Sequence, residues 1–393
     1  MAEQVEFTPA NPELSKPNNR LLSLDVFRGI TVAAMILVNN PGDWGNIYPP
    51  LKHAAWHGCT PTDLIFPFFL FIVGVSIVYA LESKKEAQTN HSKLIWTAAK
   101  RSLVLFALGL FMALFPKVFT DPIEAFKTVR IPGVLQRIAI VFFISAIIFI
   151  KTTTKTQLRI LILLLVLYWV LMTFIPVPDA GYPNLEKETN LGAWLDRTIL
   201  TEAHLWNLSK TWDPEGILST VPAIATGLFG VLIGTFLKRK DKEDAVKISW
   251  LFSIGLLATL LGLLWNLSFP INKSLWTSSY VLYTSGWATM GLALLYWLID
   301  VNGYRRGTKP FVAYGVNAIT VFFLSGLIAR SLNLLMIKIP NGKEVSVKTK
   351  ILETFYFPYF SPLNASVLYA LTFVFIWLIV LWWMYNKKLI IKV

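Results

Sequence analysis

The stretch KHAAWHGCTPTDLIFPFFLF, residues 52–71, combines side chains that could do chemistry with the start of a hydrophobic run. It holds His53 and His57, two of only four histidines in the chain. A histidine titrates near neutral pH, so His53, which lies close to Trp56, is a candidate general base. If this loop were helical, the two histidines could instead form a metal-binding pair, but the sequence offers no obvious third ligand.

The same stretch also contains a signal for the start of a helix. Thr60 and Asp63 match a capping box, with Pro61 at the first helical position, so Asp63 is expected to begin a helix. Cys59 is the only cysteine, which excludes an internal disulfide and a multi-thiolate zinc site. We expect Cys59 to be a small, partly buried residue rather than a nucleophile.

The first hydrophobic segment, 22–40, carries polar residues at both ends. Asp25 and Arg28 are three residues apart and share a helix face. Two readings stay open, a salt bridge that locks helix packing or an Arg28 that meets an anionic group from the cytoplasm. Asn39 follows Arg28 by eleven residues, roughly 16 Å along a helix, so Asn39 and Asn40 lie at the outer end.

Two later segments also begin with polar residues. The block RIPGVLQRIAI places Gln136 and Arg137 inside a hydrophobic segment. There the Arg137 guanidinium needs a partner, which could be a carboxylate, a phosphate or helix carbonyls. Arg137 could therefore bind a ligand or form a structural ion pair. In WDPEGILSTVPAIATG, Asp213 is predicted to be a helix N-cap and Glu215 to face the positive helix end. Glu215 could additionally bind an amine or a hydroxyl.

The elements that must hold these residues are membrane-spanning helices. The chain is 55% hydrophobic and 15% charged, with a mean hydropathy of +0.56, which predicts an all-α polytopic membrane protein. Its net charge of +13 comes from cations in short loops, which argues against a nucleic-acid-binding face. About ten segments are long enough to span: 22–40, 62–81, 97–115, 131–150, 158–175, 217–237, 249–269, 276–299, 311–331 and 364–385.

The distribution of positive charge predicts the orientation. Of the 36 Lys and Arg residues, 21 fall on the side of the N-terminus, 12 on the other side and 3 within the segments. The positive-inside rule then places both termini in the cytoplasm. Residues 1–20 show no signal peptide and are expected to form a mobile cytoplasmic tail, and 21–390 a single transmembrane domain. The predicted outer-face loops are 41–61, 176–216 and 332–363.

Five blocks along the chain resemble motifs of one family and follow one another in the same order as in that family. They are LLSLDVFRGI, KHAAWHGCTPTDLIFPFFLF, RIPGVLQRIAI, DPEGILSTVPAI and INKSLWTSSYVLYTSGWA. They are similar to the bacterial branch of the heparan-alpha-glucosaminide N-acetyltransferase family of transmembrane acyltransferases. This resemblance implies an inner-membrane, multi-pass enzyme that carries an acetyl group from cytosolic acetyl-CoA to an amino sugar on the outer face. The lysosomal members have an additional N-terminal domain and one more span, so heparan sulfate is not implied as the acceptor.

The resemblance also implies roles for individual residues. The family's active-site histidine matches His53, and His57 falls where the lysosomal members carry asparagine. The family's asparagine matches Asn39, although the following loop is slightly longer here and leaves Asn40 as a substitute. We therefore predict His53 as the general base and Asn39 as the donor that stabilises the oxyanion.

Other residues are predicted to bind the donor or the acceptor, and no metal is expected. These candidates are Asn40, Arg28, Asp63, Arg137, Gln136, Glu215, Trp56 and Lys273. Arg28 and the basic inner loops could hold the phosphates of acetyl-CoA. The acceptor could be glucosamine, a chitin fragment, a muropeptide or a glycan terminus, and a homodimer stays open.

A transporter of a sugar or a cell-wall fragment is the alternative from another class. Intramembrane charges, helices interrupted by proline and tryptophans in the outer loops are equally expected of a transporter. The lack of a clear inverted repeat weighs mildly against it. A non-catalytic scaffold would leave the polar blocks without a purpose.

Overall fold

The computed structural model describes residues 21–87, 90–339 and 342–391, which fold almost entirely into helices. The α-helices are α1 Leu22–Asn39, α2 Ile65–Ala87, α3 Ser92–Leu114, α4 Lys117–Thr120, α5 Pro122–Lys127, α6 Val134–Lys151, α7 Thr154–Phe174, α8 Leu191–Leu200, α9 Ile217–Leu237, α10 Asp244–Trp265, α11 Ser278–Leu295, α12 Thr308–Val316, α13 Ala318–Leu334, α14 Val347–Phe355 and α15 Pro362–Asn386. Short 3₁₀ helices cover Pro49–Leu51, Pro61–Leu64 and Glu202–His204, and a π-helix covers Tyr296–Val301. Strands β1 Met336–Lys338 and β2 Glu344–Ser346 form a small antiparallel sheet in which Met336 pairs with Ser346.

The prediction of an all-α polytopic membrane protein is confirmed. Within the described ranges, nine helices are long and apolar enough to cross a membrane: α1, α2 with its preceding 3₁₀ turn, α3, α6, α7, α9, α10, α11 with the following π-helix, and α15. Each coincides with a predicted segment. The predicted tail, 1–20, lies outside the described residues, and the division into one domain with outer loops stays a prediction.

The predicted segment 311–331 is a bent pair of helices. It consists of α12 and α13, which meet at a bend of 79°. Asn317 lies at the break, where its side chain donates to the carbonyl of Leu389 at 3.1 Å and accepts from the N–H of Ile391 at 3.0 Å. These bonds tie the break to the end of the chain, about seventy residues away, and hold Asn317 outside helical geometry.

Close backbone contacts fix the helices that carry the candidate residues. A Cβ on Gly74 of α2 would lie 2.0 Å from the carbonyl oxygen of Gly227 of α9, so only glycine allows this approach. A Cβ on Gly29 of α1 would lie 1.8 Å from the carbonyl oxygen of Phe311 of α12. Small residues at helix crossings let backbones pack tightly where burial of apolar surface drives little association.

The connections at the end of the bundle nearest Asn39 dock on one another. The N–H of Gly58 donates to the carbonyl of Ile271 at 2.7 Å, which joins the loop after α1 to the connection between α10 and α11. The indole N–H of Trp56 donates to the carbonyl of Leu185 at 2.9 Å, which joins the same loop to the connection before α8. Three distant parts of the chain therefore meet above the helix ends.

We predict that this end of the bundle faces outward. In a Cys59→Ala background, Glu188→Cys should react with a membrane-impermeant maleimide on intact cells, whereas Lys240→Cys should not. Both positions are exposed in the structure, so a lack of labelling would reflect the side of the membrane. Permeabilised cells should label at both positions, and labelling at position 240 on intact cells would reverse the predicted orientation.

Candidate functional site

A short hydrogen bond between His53 and Asp63 lies at the start of α2. Asp63 is 1% exposed, and its Oδ1 lies 2.6 Å from His53 Nδ1. Its other oxygen, Oδ2, accepts from the N–H groups of Ala54 and Thr60, both at 3.0 Å, and from the Thr60 hydroxyl at 3.1 Å. A carboxylate only accepts, so Nδ1 of His53 carries the proton and Nε2 keeps its lone pair.

The predicted capping box is therefore present, and Asp63 has a second role that the sequence did not reveal. One carboxylate both begins the helix and orients the imidazole. The capping motif explained Asp63 by itself, so nothing in the sequence pointed to His53, ten residues earlier, as a further partner.

His53 lies on a small cavity of about 50 Å³ together with three of the predicted site residues, Asn39, Glu215 and Lys273. The rest of the lining is mostly apolar and comes from α1, α2 and α6: Met35, Val38, Thr62, Ile65, Phe66 and Val134. A base and hydrogen-bond donors thus share one small cavity, an arrangement suited to proton transfer and to stabilising a developing negative charge.

Lys273 also lies close to the imidazole. Its Nζ is 3.4 Å from Nδ1 and 3.3 Å from Nε2 of His53. Burial lowers the pKa of Lys273, although the nearby carboxylates of Glu215 and Asp63 oppose this. Asn272 fixes the loop, because its Oδ1 accepts from the N–H of Leu275 at 2.9 Å.

Glu215 is held as an anion at the cavity by Arg130. The Arg130 guanidinium donates to Asp213 at 2.8 and 2.5 Å and to Glu215 at 2.6 Å. Burial alone would raise the pKa of Glu215, but Arg130, Arg137 and Lys273 outweigh it, so the pKa is lowered. Sequence reasoning missed Arg130, although two carboxylates two residues apart require a nearby cation.

The prediction that Asp213 caps α9 is wrong. The helix begins at Ile217, whose N–H donates to Oδ1 of Asp196 at 2.8 Å. Asp196 lies on α8, so the cap comes from another element and no local spacing could predict it. Burial raises the pKa of Asp196 to about 7.

Two predicted site residues, Arg137 and Gln136, lie away from the cavity. Arg137 is 1% exposed and donates to the carbonyl of Gly216 at 3.2 Å and to the hydroxyl of Ser219. It forms no ion pair with any carboxylate in the described ranges, so the structural ion pair is replaced by helix carbonyl and hydroxyl acceptors. Gln136 packs against Gly109 of α3 and against Gly133 at the start of its own helix.

Trp56 and His57 also do not line the cavity at His53. Trp56 packs edge-on against Trp212, with ring centroids 5.2 Å apart, and fastens the loop to its neighbour. His57 Nδ1 lies 3.4 Å from the side-chain nitrogen of Asn272. Residues 52–58 are not helical, so the helical pair that the metal hypothesis requires is not formed.

Cys59 is a protonated thiol at neutral pH. It is partly buried, and burial raises its pKa to about 12, with a smaller contribution from Asp63. A thiol in this state is a poor nucleophile, which agrees with the interpretation of Cys59 as a packing residue.

The two asparagines at the end of α1 have different surroundings. The side-chain amide of Asn40 donates to the carbonyl of Ile36 at 2.7 Å and so caps the helix. Asn39 is exposed, lines the cavity at His53 and also lines an adjoining cavity of about 270 Å³. Asn39, rather than Asn40, is therefore available to a ligand beside His53.

Arg28 lies near the other end of α1, where the salt bridge of the first alternative is formed and the binding of an anionic group stays a prediction. It donates to Asp25 at 3.1 Å and to the hydroxyl of Ser76 at 2.7 Å, so the salt bridge is present. It also lines a third cavity, of about 350 Å³, together with Arg101.

Apolar residues of α2 and α6, here called the apolar layer, line both this third cavity and the one at His53. Phe69 and Ile138 line the cavity at Arg28, and Phe66 and Val134 line the cavity at His53. The two phenylalanines lie about one turn apart on α2, as do the other two residues on α6. The two cavities thus lie along the same helices, one turn from each other.

We predict that Asp63→Asn reverses the tautomer of His53. The backbone N–H groups of Ala54 and Thr60 would retain the amide oxygen, so the amide NH₂ would face the imidazole. It would donate to Nδ1 and move the ring proton to Nε2. NMR of ¹⁵N-histidine-labelled protein should detect this change at His53, with His57 as the internal control. An unchanged Nδ1-protonated ring in the variant would contradict the assignment.

The chain is similar to known proteins over most of its length. A family model described as the catalytic region of heparan-alpha-glucosaminide N-acetyltransferase matches residues 20–268. The chain is 33% identical over 364 residues to the Homo sapiens protein of that name, which covers 80% of this chain and 54% of the relative. The Mus musculus protein is 32% identical over 352 residues, with 77% and 53% coverage. The chain thus spans about half the length of the curated relatives it matches.

Proposed function

The chain belongs to the heparan-alpha-glucosaminide N-acetyltransferase family, and from this membership we propose that it is a transmembrane N-acetyltransferase. The donor is cytosolic acetyl-CoA and the acceptor is the amine of a glucosamine-type sugar at the outer face. The observation that carries this proposal is the His53–Asp63 pair on the wall of a cavity shared with Asn39 and Lys273.

In the proposed reaction, His53 Nε2 removes a proton from the acceptor nitrogen as that nitrogen attacks the thioester carbonyl. The N–C bond forms, the C–S bond breaks, and the sulfur leaves as CoA thiol after receiving the proton from the imidazolium. Asp63 keeps the ring in the required tautomer and stabilises its charge. General-base catalysis of this kind contributes about 10²–10⁴-fold.

The carbonyl oxygen becomes negative as the nitrogen attacks, and the cavity offers two donors for it. The Asn39 amide and the Lys273 side-chain nitrogen, which carries N–H donors, both line the cavity at His53. A positioned oxyanion donor typically contributes roughly 3–4 kcal/mol to transition-state stabilisation. The ionised Glu215 on the same wall gives the incoming amine a hydrogen-bond acceptor before its proton is removed.

The donor enters, in this proposal, through the cavity at Arg28. Arg28 and Arg101 supply positive charge for the phosphates of acetyl-CoA. The apolar layer of α2 and α6 then surrounds the uncharged arm that carries the thioester. This path places the donor on the cytoplasmic side and the acceptor on the outer side of a bacterial inner membrane.

The decisive experiment is turnover by purified protein in detergent. The protein should release CoA thiol from acetyl-CoA when glucosamine or a glucosamine-terminated glycan is present, and mass spectrometry should identify the N-acetylated product. No membrane gradient is present in detergent, so a transporter would not turn over. If the protein acetylates neither glucosamine nor a glucosamine-terminated glycan, the proposed function is refuted.

His53→Ala should reduce kcat by at least about two orders of magnitude, the lower range for loss of a general base. His57→Ala is the matched control, because His57 lies in the same loop but not on the cavity. It should retain most of the wild-type rate. If His57→Ala lowers kcat more than His53→Ala does, the assignment of His53 as the base is wrong.

Arg28→Ala should raise the KM for acetyl-CoA more than it lowers kcat, because donor binding is lost before the chemical step. Arg239→Ala, at an exposed arginine that does not line this cavity, should leave KM unchanged. If the Arg28 variant keeps normal donor affinity but melts at a lower temperature, the salt bridge to Asp25 is its main role.

A further inference from the structure

Lys273 places a primary amine on the wall of the cavity at His53. It is the sole lysine among the residues that line this cavity, all of which lie within the described ranges. Its Nζ lies 3.3 Å from Nε2 of His53, close to the reach of a general base, which tightens when a reaction complex forms. In the proposed reaction the acceptor amine must approach the same Nε2. Lys273 therefore holds an amine where the amine of the sugar would react.

The backbone keeps Lys273 beside His53. The N–H of Trp276 donates to the carbonyl of Lys273 at 3.1 Å, which closes a turn in the connection between α10 and α11. The N–H of Gly58 donates to the carbonyl of Ile271 at 2.7 Å, which joins this connection to the loop that carries His53. The lysine side chain itself is not tied in this way, so its nitrogen can turn towards a carbonyl group in the cavity.

The surroundings of Lys273 favour its neutral form, which is the form of an amine that attacks a carbonyl. Its Nζ forms no ion pair with any carboxylate that the structure describes, and its two close contacts are the ring nitrogens of His53. Burial lowers the pKa of Lys273 and the charge of Arg137 lowers it further, while Glu215 and Asp63 act in the opposite direction. A lowered pKa increases the fraction of nucleophilic amine at neutral pH.

We propose that Lys273 is an internal acetyl acceptor, which acetyl-CoA acetylates when no acceptor sugar occupies the cavity. This inference rests on the proposed acetyl transfer. Lys273 Nζ attacks the thioester carbonyl while His53 Nε2 takes one of its protons. The N–C bond forms, the C–S bond breaks, and the sulfur leaves as CoA thiol with that proton. The product is an Nε-acetyl group on Lys273.

This modification inactivates the molecule that carries it. The product is a stable amide, so the acetyl group is not passed on to a sugar. It adds a carbonyl and a methyl group to a cavity of only about 50 Å³, and it removes the basic nitrogen beside His53. A bound acceptor sugar excludes the lysine from the reacting position. The enzyme is therefore protected by its acceptor and lost when the donor is present alone.

The test incubates purified protein with acetyl-CoA in detergent, without any acceptor, and follows each lysine by peptide mass spectrometry. Lys52 is the matched internal control, because it is exposed and adjacent to His53 in sequence but does not line the cavity. Lys273 should be acetylated at least about a hundredfold faster than Lys52, the scale of general-base catalysis. His53→Ala should slow the acetylation of Lys273 by a similar factor, and saturating glucosamine should slow it roughly tenfold or more in the wild type.

Preincubation with acetyl-CoA should also lower the subsequent rate of glucosamine acetylation in proportion to the acetylated fraction of Lys273. Lys273→Arg carries a guanidinium that stays charged and is not a nucleophile. It should keep its own starting rate through the same preincubation. Lys52→Arg is the matched control and should lose activity as the wild type does.

If Lys273 is acetylated no faster than Lys52 while glucosamine is acetylated normally, the inference is overturned and the proposed function stands. The inference is also overturned if His53→Ala, with the wild-type melting temperature, acetylates Lys273 at the wild-type rate. The same holds if saturating glucosamine gives no protection, because the lysine then does not share the position of the acceptor. If neither Lys273 nor glucosamine is acetylated, the inference and the proposed function fail together.

Discussion

The candidate site depends on the burial of one carboxylate, that of Asp63. The side chain is 1% exposed and takes donors from His53, Ala54 and Thr60 on its two oxygens. A carboxylate so placed stays stable because it is fully hydrogen-bonded. The carboxylate that starts α2 therefore also orients the imidazole.

Positions of the other site residues follow from how the helices meet. Glycine contacts such as that of Gly29 with Phe311 bring α1 and α12 together, and the end of α1 then carries Asn39 to His53. Glu215 and Lys273 come from the connections before α9 and before α11, which dock on the loop after α1. Rigid helices thus position loops that carry the polar groups, a common division of labour in functional sites.

Hydropathy and length were sufficient to predict the spanning helices, because each must satisfy the same constraint of membrane thickness. The resemblance of the blocks to a family selected His53 and Asn39, which the fold brings to one cavity. Neither hydropathy nor the family resemblance could predict three features of the structure. These are the pairing of His53 with Asp63, the cap of α9 by Asp196 and the break at Asn317. Each depends on a partner in another element or on a second role for a residue that local sequence had already explained.

The apolar layer between the cavities at Arg28 and His53 has an electrical consequence. Phe66, Phe69, Val134 and Ile138 line the two spaces with apolar side chains. Carrying one elementary charge through a membrane held at 100 mV involves about 2.3 kcal/mol of field energy besides its desolvation. Apolar side chains oppose the passage of an ion far more than that of an uncharged group. In the proposed reaction, the uncharged arm of the donor is therefore the part suited to enter this layer, and its charged phosphates are the part suited to stay outside it.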